Sequence, residues 1–228
     1  MKVNLRTAVF VLALVGASLS MARAADITQV WSESGAIAEG SYTDQNLSSL
    51  EGVTNNIGME ITADATTYAG PNSGTGGLNV PVLYFGNTCC SGLGIFEGDG
   101  AYADYWSILL GGVTLQGSGA AVNLGEPTTL LLVEEYGTAI LYVNGTVVAS
   151  APNSPNATSS SNSVLWAGTD QGLDASFNGT LSNAEVFTFT GVFSPSDLTP
   201  EPATGTLWLV GLGVLLLARY AQRRRAAC

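Results

Sequence analysis

The most restrictive feature of this sequence is a long internal stretch without a single cationic side chain. All seven Lys and Arg residues of the 228-residue chain lie before residue 24 or after residue 218, and there is no His. The 174 positions from Asp26 to Thr199 hold every acid except Glu201. Proteins that bind DNA or RNA need a basic surface, so nucleic acid is excluded as a partner. Mechanisms that need a His base, a Lys Schiff base or an Arg clamp are excluded as well.

The same stretch restricts how its carboxylates can be accommodated. Because it contains no partner for a salt bridge, each carboxylate must be solvated, hydrogen-bonded to backbone N–H groups, or neutralised by a cation or a proton. The length suits one domain, which we place at residues 25–199. Its many Gly, Ser, Thr and Asn residues indicate turns and short strands rather than long helices.

The first 24 residues have the three parts of a secretory signal peptide. A positively charged start precedes an apolar run at 8–17, and Ala22 and Ala24 place small residues where signal peptidase reads them. We therefore predict a signal helix within residues 1–24, with cleavage by signal peptidase after Ala24.

The C-terminal end has the features of a membrane anchor. The two prolines of Pro200-Glu201-Pro202 interrupt regular structure, residues 203–218 form an uncharged and largely apolar run, and Arg219 begins a basic cluster. About 20 apolar residues in a helix span a bilayer, so we predict a transmembrane helix at about 203–220. The positive-inside bias places the cluster in the cytoplasm and the acidic body outside it.

Residues 200–228 resemble the tripartite sorting tail of PEP-CTERM proteins. Its parts are Pro200-Glu201-Pro202, the apolar run at 203–218, and an Arg-rich tip that includes Arg223, Arg224 and Arg225. The resemblance implies export in a Gram-negative bacterium that makes exopolysaccharide. It also implies transient anchoring in the inner membrane and cleavage by an exosortase, after which the body reaches the cell surface or the extracellular matrix.

Short apolar segments separated by turn residues predict a strand-rich body. The clearest strands are 129–133, 139–143 and 146–149, and Asn144-Gly145 between the last two is the strongest two-residue hairpin signal. Further strands are predicted at 58–62, 82–85, 105–110, 164–168 and 184–189. No helical period occurs between residues 26 and 199, so the pattern favours an all-β antiparallel sandwich.

The second half of the body resembles laminin-G-like and concanavalin A-like domains. The similarity lies in the order of an apolar strand, a Tyr-Val-Asn-Gly hairpin at 142–145, a Gly-ended strand at 165–168, a Phe-x-Gly strand at 177–181 and a closing turn at 194–198. It implies a two-sheet antiparallel jelly-roll sandwich, flanked by the N-terminal signal helix and the C-terminal transmembrane helix. Members of the family bind glycans or proteins, sometimes through calcium, and some are glycosidases.

Oxygen-rich loops make calcium the one cofactor that the sequence suggests. Asp170, Asp174 and Asn178 lie in a glycine-containing loop between strands, and a second group of acids lies at 97–104. Loop carboxylates and amides are the ligands that Ca²⁺ takes. A solvated acidic surface, which keeps exported proteins soluble, explains the same residues without an ion.

Three aromatic residues form a candidate glycan-binding group. Tyr102, Tyr105 and Trp106 follow an acidic, glycine-rich segment, and their rings could stack on a sugar. Aromatic side chains at strand spacing are more often core residues, so both interpretations stay open.

A catalytic function has little support in the sequence. Glu97-Gly98-Asp99 is the nearest approach to the two carboxylates that glycoside hydrolysis needs. The glycines beside Asp99 suit a turn better than a rigid catalytic strand. We therefore assign no catalytic residue and expect that the protein is not an enzyme.

Cys89 and Cys90 are adjacent, and export favours their oxidation. A bond between neighbours is strained, because disulfides prefer Cα atoms that lie farther apart. Free thiols and a bridge to a second chain are the alternatives to the vicinal disulfide that we favour.

These features together predict a non-catalytic, exported surface or matrix protein that associates with exopolysaccharide or other glycans. The alternatives are a glycoside hydrolase on the same fold and a purely structural matrix protein without a specific ligand.

Overall fold

The described part of the body is a sandwich of twelve strands. The computed structural model describes residues 25–42, 45–53, 55–68, 80–87, 91–98, 105–110, 113–152, 164–169 and 176–198. The strands in chain order are β1 (Asp26–Ile37), β2 (Gly40–Tyr42), β3 (Ile57–Ala65), β4 (Val80–Asn87), β5 (Ser91–Glu97), β6 (Tyr105–Leu110), β7 (Val113–Ala121), β8 (Thr128–Glu135), β9 (Thr138–Val143), β10 (Thr146–Pro152), β11 (Leu165–Ala167) and β12 (Gly179–Thr190). Two short 3₁₀ turns occupy Gln45–Leu50 and Pro195–Asp197.

The strands form two six-stranded antiparallel sheets. The first sheet has the order β1-β12-β3-β8-β9-β10, and the second has the order β2-β11-β4-β5-β6-β7. The predicted all-β, two-sheet architecture is therefore confirmed, and the strand orders are consistent with a jelly roll. The signal helix and the transmembrane helix lie outside the described residues. Within the described ranges, no helix has the length and apolar character needed to cross a bilayer.

The β8–β9–β10 meander follows directly from its turn residues. Glu135 pairs with Thr138 and Val143 pairs with Thr146, so each hairpin closes with a two-residue loop. Both residues of each loop have positive φ, as the twist of a tight hairpin requires. The hairpin predicted at Asn144-Gly145 is confirmed.

The main core lies between the two sheets and follows the alternation of the strands. On β3, Ile57, Met59 and Ile61 are fully buried in the cluster between the sheets. The side chains of Glu60 and Thr62, which alternate with them, are only partly buried on the outer face. β3 therefore supplies the centre of the core with its inner face and carries a row of polar side chains on its outer face.

The other end of this outer face is aromatic. Phe187 lies opposite Gly58 on the neighbouring strand, and its ring stacks on Phe193 with centroids 5.7 Å apart. Phe189 completes the group, with its centroid 5.1 Å from that of Phe193. A Cβ atom on Gly58 would overlap the ring of Phe187, so the glycine makes room for the aromatic group.

Gly58→Ala tests this packing. We expect the free energy of unfolding to fall by about 1–3 kcal/mol, because an added methyl group overpacks a site whose neighbouring ring is buried. Urea denaturation of the full chain in detergent measures the change. In a Phe187→Leu background the same substitution should cost less, so a double-mutant cycle with fully additive effects would contradict the proposed overlap.

Candidate functional site

A polar groove crosses the outer face of the first sheet where β1, β12 and β3 run side by side. Its volume is about 300 Å³. Eight residues line it: Gln29, Ser32, Glu33, Ser34, Glu60, Asn183, Ala184 and Glu185. Because the lining is rich in carboxylate, amide and hydroxyl groups, the groove can hydrogen-bond a polyhydroxylated ligand along its length.

Two glutamates from neighbouring strands face each other in this groove, and Glu33 of a third strand lines it. Glu60 of β3 lies directly opposite Glu185 of β12. Glu185 in turn lies opposite Ser32 of β1, and Glu33 is the next residue along. Directly opposite side chains on one face of a sheet have Cβ atoms only about 5 Å apart, so Glu60 and Glu185 interact strongly.

Irregular strand pairing shapes the groove. The β1–β12 register shifts between Glu33 and Ala36, and the β12–β3 register shifts between Ser182 and Glu185. Asn183 lies within this bulge with φ of +49°, and its Oδ1 accepts a hydrogen bond from the Gly35 N–H at 3.0 Å. A side-chain hydrogen bond therefore joins the two strands where their regular ladder is interrupted.

The electrostatics of the groove favour the protonated form of Glu60. Burial, and then the charge of Glu185, raises the pKa of Glu60 to about 7. Below this pH the Glu60 carboxyl group can donate a hydrogen bond as well as accept one. The Gln29 Nε2–H donates to Glu185 Oε2 at 3.0 Å, so an amide from β1 also takes part in the hydrogen bonding of the groove.

Other carboxylates accept hydrogen bonds from backbone N–H groups, which is another of the expected ways of accommodating them. Glu135 Oε1 accepts a hydrogen bond from the Phe193 N–H at 3.0 Å, and Asp197 Oδ2 accepts one from the Ser194 N–H at 2.8 Å. Backbone donors thus take the place of the missing cations, as the sequence requires. Within the described ranges, no group of three acidic or Cys side chains is arranged to hold a metal ion.

Of the predicted calcium ligands, Asn178 is described, whereas Asp170 and Asp174 lie outside the described residues. Asn178 Oδ1 accepts a hydrogen bond from Thr66 Oγ1 at 3.0 Å, and its Nδ2 donates to Thr67 Oγ1 at 2.6 Å. The two hydrogen bonds therefore join the Asn178 side chain to the segment that follows β3. Calcium binding at this loop stays a prediction.

The three predicted glycan-binding aromatics have different positions. Tyr105 is 37% exposed at the start of β6, whereas Trp106 is 1% exposed and belongs to the core between the sheets. Tyr102 lies outside the described residues. A core position suits the alternative interpretation of Trp106, so Tyr105 is the described member of the group that can meet a ligand at the surface.

The remaining predicted residues lie outside the described ranges. They are Ala22 and Ala24 of the signal peptide, Cys89 and Cys90 between β4 and β5, and the sorting residues Pro200, Glu201, Pro202, Arg223, Arg224 and Arg225.

The groove itself was not predicted from the sequence. Glu33, Glu60 and Glu185 are far apart in the chain, and only the strand order brings them together. Glu60 is the one groove residue that the sequence pattern could have indicated, because it is an acid at an outward position of an alternating apolar strand.

Comparison with protein families identifies the body. Residues 62–198, more than half of the chain, match the model of the concanavalin A-like lectin/glucanases superfamily, in its laminin-G form. The chain belongs to this superfamily. Residues 198–225 match the PEP-CTERM protein-sorting motif, so both resemblances seen in the sequence are confirmed. A search of curated proteins finds no significant match.

Solved structures share the fold at low sequence identity. The CBM40 of the Ruminococcus gnavus IT-sialidase, bound to α2,3-sialyllactose, gives a TM-score of 0.56 at 18% identity, covering 75% of this chain and 97% of that one. The leech intramolecular trans-sialidase gives 0.54 at 16% identity, covering 75% of this chain and 27% of the enzyme. Domain 4 of AbnA, a GH43 arabinanase from Geobacillus stearothermophilus, gives 0.47 at 13% identity, and 64% of this chain matches 65% of that domain.

The Glu60 pKa makes stability depend on pH. Because its pKa in the folded protein is about 7 and its ordinary value is 4.5, the folded state binds more protons between these values. The free energy of unfolding therefore falls as the pH rises through this window. Glu60→Gln removes this loss, so at pH 8 the variant should be more stable than wild type by about 1–2 kcal/mol, after allowance for solvent screening.

Thermal melts of both proteins at pH 4.5 and pH 8 measure this difference. We expect the advantage of the variant to disappear at pH 4.5, where the wild-type carboxyl group is protonated. Glu126→Gln, at an exposed turn, is the matched control and should leave the pH dependence unchanged. Equal effects of the two substitutions would contradict the assignment to the groove.

Proposed function

We propose that this chain is an exported, non-catalytic protein whose body associates with extracellular polysaccharide. The signal peptide is removed after Ala24, and a helix at about 203–220 then holds the precursor in the inner membrane. Cleavage by an exosortase near Pro200-Glu201-Pro202 releases the body to the cell surface or the matrix. Arg223, Arg224 and Arg225 stay on the cytoplasmic side.

The observation that carries this proposal is the direct succession of two family matches. The concanavalin A-like body ends at residue 198, and the sorting motif begins there. A domain of a lectin and glucanase superfamily is thus joined to an export signal without another domain between them. Association with polysaccharide outside the cell is the function that uses both parts.

Burial of Glu97 supports a non-catalytic role. This residue pairs with Trp106 on the neighbouring strand and is almost completely buried. A general acid or nucleophile must reach the glycosidic bond, and Glu97 is enclosed by the sandwich instead. Burial of the sequence's nearest candidate for a catalytic carboxylate supports the proposal that the protein is not an enzyme.

Glycoside hydrolysis in the groove is the second candidate function. Hydrolases use two carboxyl groups as acid and base; Glu60 and Glu185 face each other on neighbouring strands, and the pKa of Glu60 is raised to about 7. The groove favours binding over hydrolysis, because it is open and lies on a sheet face rather than in a closed cleft.

The absence of internal cations restricts the ligand class. An acidic sugar would bring a carboxylate into a body that has no Lys, Arg or His between residues 26 and 199. Its charge would go unpaired beside Glu60 and Glu185, at a cost in desolvation and repulsion. We therefore propose neutral glycans as ligands, in contrast to the sialyllactose bound by the Ruminococcus gnavus CBM40.

Calcium is proposed for the loops at one end of the sandwich. The segment that holds Asp170 and Asp174 follows β11, and Asn178 lies just before β12. The Phe177 N–H donates to the Gly168 carbonyl at 2.7 Å, so Asn178 lies close to the end of β11. This proximity supports a calcium site formed by Asp170, Asp174 and Asn178.

Processing is tested by mass spectrometry of the form released from producing cells. We expect an N-terminus at Ala25 and a C-terminus close to Pro200–Pro202, because the two flanking signals are removed. The same spectrum shows whether Cys89 and Cys90 are oxidised. An intact chain in the soluble cell fraction would refute the export proposal.

Glycan association is tested by binding of the full chain in detergent to a panel of neutral and acidic polysaccharides. We expect retention on neutral members, and a loss of roughly tenfold or more in Glu185→Gln, which removes a charged acceptor from the groove. Glu126→Gln is again the control. Repeating the assay in EDTA and in millimolar calcium separates an ion-dependent site from the groove, and release of reducing ends would favour the hydrolase.

A further inference from the structure

The carboxyl groups of Glu60 and Glu185 form a facing pair in a body without cations. The two residues are directly opposite on β3 and β12, and both line the polar groove. The charge of Glu185 contributes to the raised pKa of Glu60, so the two carboxyl groups lie close enough to interact. The neighbour of Glu60 on β8 is the uncharged Leu131, and Glu33 of β1 is the other acid in the lining. A ligand that lies over β3 and β12 therefore meets this pair first.

Hydrogen bonds within the groove leave a defined set of polar groups for a ligand. The Gln29 Nε2–H donates to Glu185 Oε2, and Asn183 Oδ1 accepts from the Gly35 N–H. Among the described residues, these bonds leave the second oxygen of Glu185, both carboxyl oxygens of Glu60 and the Gln29 Oε1 as acceptors. Hydrogen bonds to a carboxylate are stronger than those between neutral groups. The ligand is therefore selected mainly by the donors that it brings.

A single hydroxyl group cannot satisfy two carboxylates. A hydroxyl has one hydrogen to donate, and an ionised carboxyl group only accepts. When Glu60 and Glu185 are both ionised, a ligand needs two hydroxyl groups, one for each. These hydroxyls must lie side by side, because directly opposite residues have Cβ atoms only about 5 Å apart. Free hydroxyl groups on adjacent carbons of a sugar ring meet this requirement.

An ether oxygen beside the bound hydroxyl has the opposite effect. In a 1,3-linked hexose polymer, no two adjacent ring carbons of a unit within the chain both carry a free hydroxyl. In a 1,6- or 1,4-linked polymer, the hydroxyls on the second and third carbons are both free. An ether oxygen has no hydrogen, so against a carboxylate it leaves two acceptors facing each other without a donor, which costs free energy.

We propose that the groove selects neutral polysaccharides with free hydroxyl groups on adjacent ring carbons, and that Glu60 and Glu185 make this selection. Each carboxylate accepts a hydrogen bond from one of the two hydroxyls. The groove volume of about 300 Å³ is at the small end of the range for ligand pockets, so it holds a short stretch of the polymer. This inference rests on the glycan binding of the proposed function, whose ligand class it narrows.

Protonation of Glu60 relaxes the selection. With a pKa of about 7, Glu60 is largely protonated at pH 5.5 and largely ionised at pH 8. A protonated Glu60 can donate to a hydroxyl that itself donates to Glu185, so that one hydroxyl bridges the pair. It can also donate to an ether oxygen. The preference for adjacent hydroxyl groups is therefore strong at pH 8 and weak at pH 5.5.

Retention of the full chain in detergent on pairs of uncharged polysaccharides tests the inference. Glucose, mannose and galactose each supply one pair, in which a 1,3-linked polymer is compared with a 1,6- or 1,4-linked polymer of the same sugar. We expect a preference of roughly tenfold or more for the polymer with adjacent hydroxyls at pH 8 in at least one pair. Equal retention within every pair that binds, or a preference for the 1,3-linked polymer, would overturn the inference but leave glycan binding intact. No retention on any polymer would instead overturn the proposed function, and the inference with it.

Glu60→Gln distinguishes the facing pair from the rest of the groove. Its amide has both a donor and an acceptor at every pH, so at pH 8 the variant should show the weak preference of wild type at pH 5.5. Glu126→Gln, at an exposed turn, is the matched control and should keep the wild-type preference at both pH values. A strong preference that survives in Glu60→Gln at pH 8, or one that does not change with pH in wild type, would show that other residues make the selection.

Discussion

The absence of cations from the body is the constraint on which the rest of the structure depends. Without Lys, Arg or His between residues 26 and 199, a carboxylate that leaves water needs a backbone donor or a proton. Glu135 uses the first solution through the Phe193 N–H, and Glu60 uses the second through its raised pKa. The two carboxylates lie on the same outer face of the first sheet, Glu135 at its aromatic end and Glu60 in its polar groove.

The groove combines this constraint with the geometry of the sheet. Alternation on β3 directs Glu60 outward, and the strand order places β12 and β1 beside it. The bulge at Asn183 interrupts the regular β12–β3 pairing beside these carboxylates. Strand pairing and register therefore decide which polar side chains line the groove and how deeply they are buried. The groove is a property of the fold as much as of its residues.

Local signals in the sequence predicted part of this structure. Asn144-Gly145 and its flanking apolar segments specified β9 and β10, because turn chemistry and alternation act over a few residues. β5 was missed because Gly92 and Gly94 are poor strand formers, yet they are required where side chains would overlap Tyr84. β1 was missed because its polar residues lack a clear alternation. The groove was beyond prediction, since its residues meet only through long-range strand order.

The position of β12 has a consequence for the order of folding. This strand lies between β1 and β3, although it is the last strand of the body in the chain. β1, the first strand of the body, has no neighbour in its sheet until β12 has been made. Non-local closure of this kind is slow, so β1 joins its sheet only in a late step, after strands that pair with nearer neighbours in the chain.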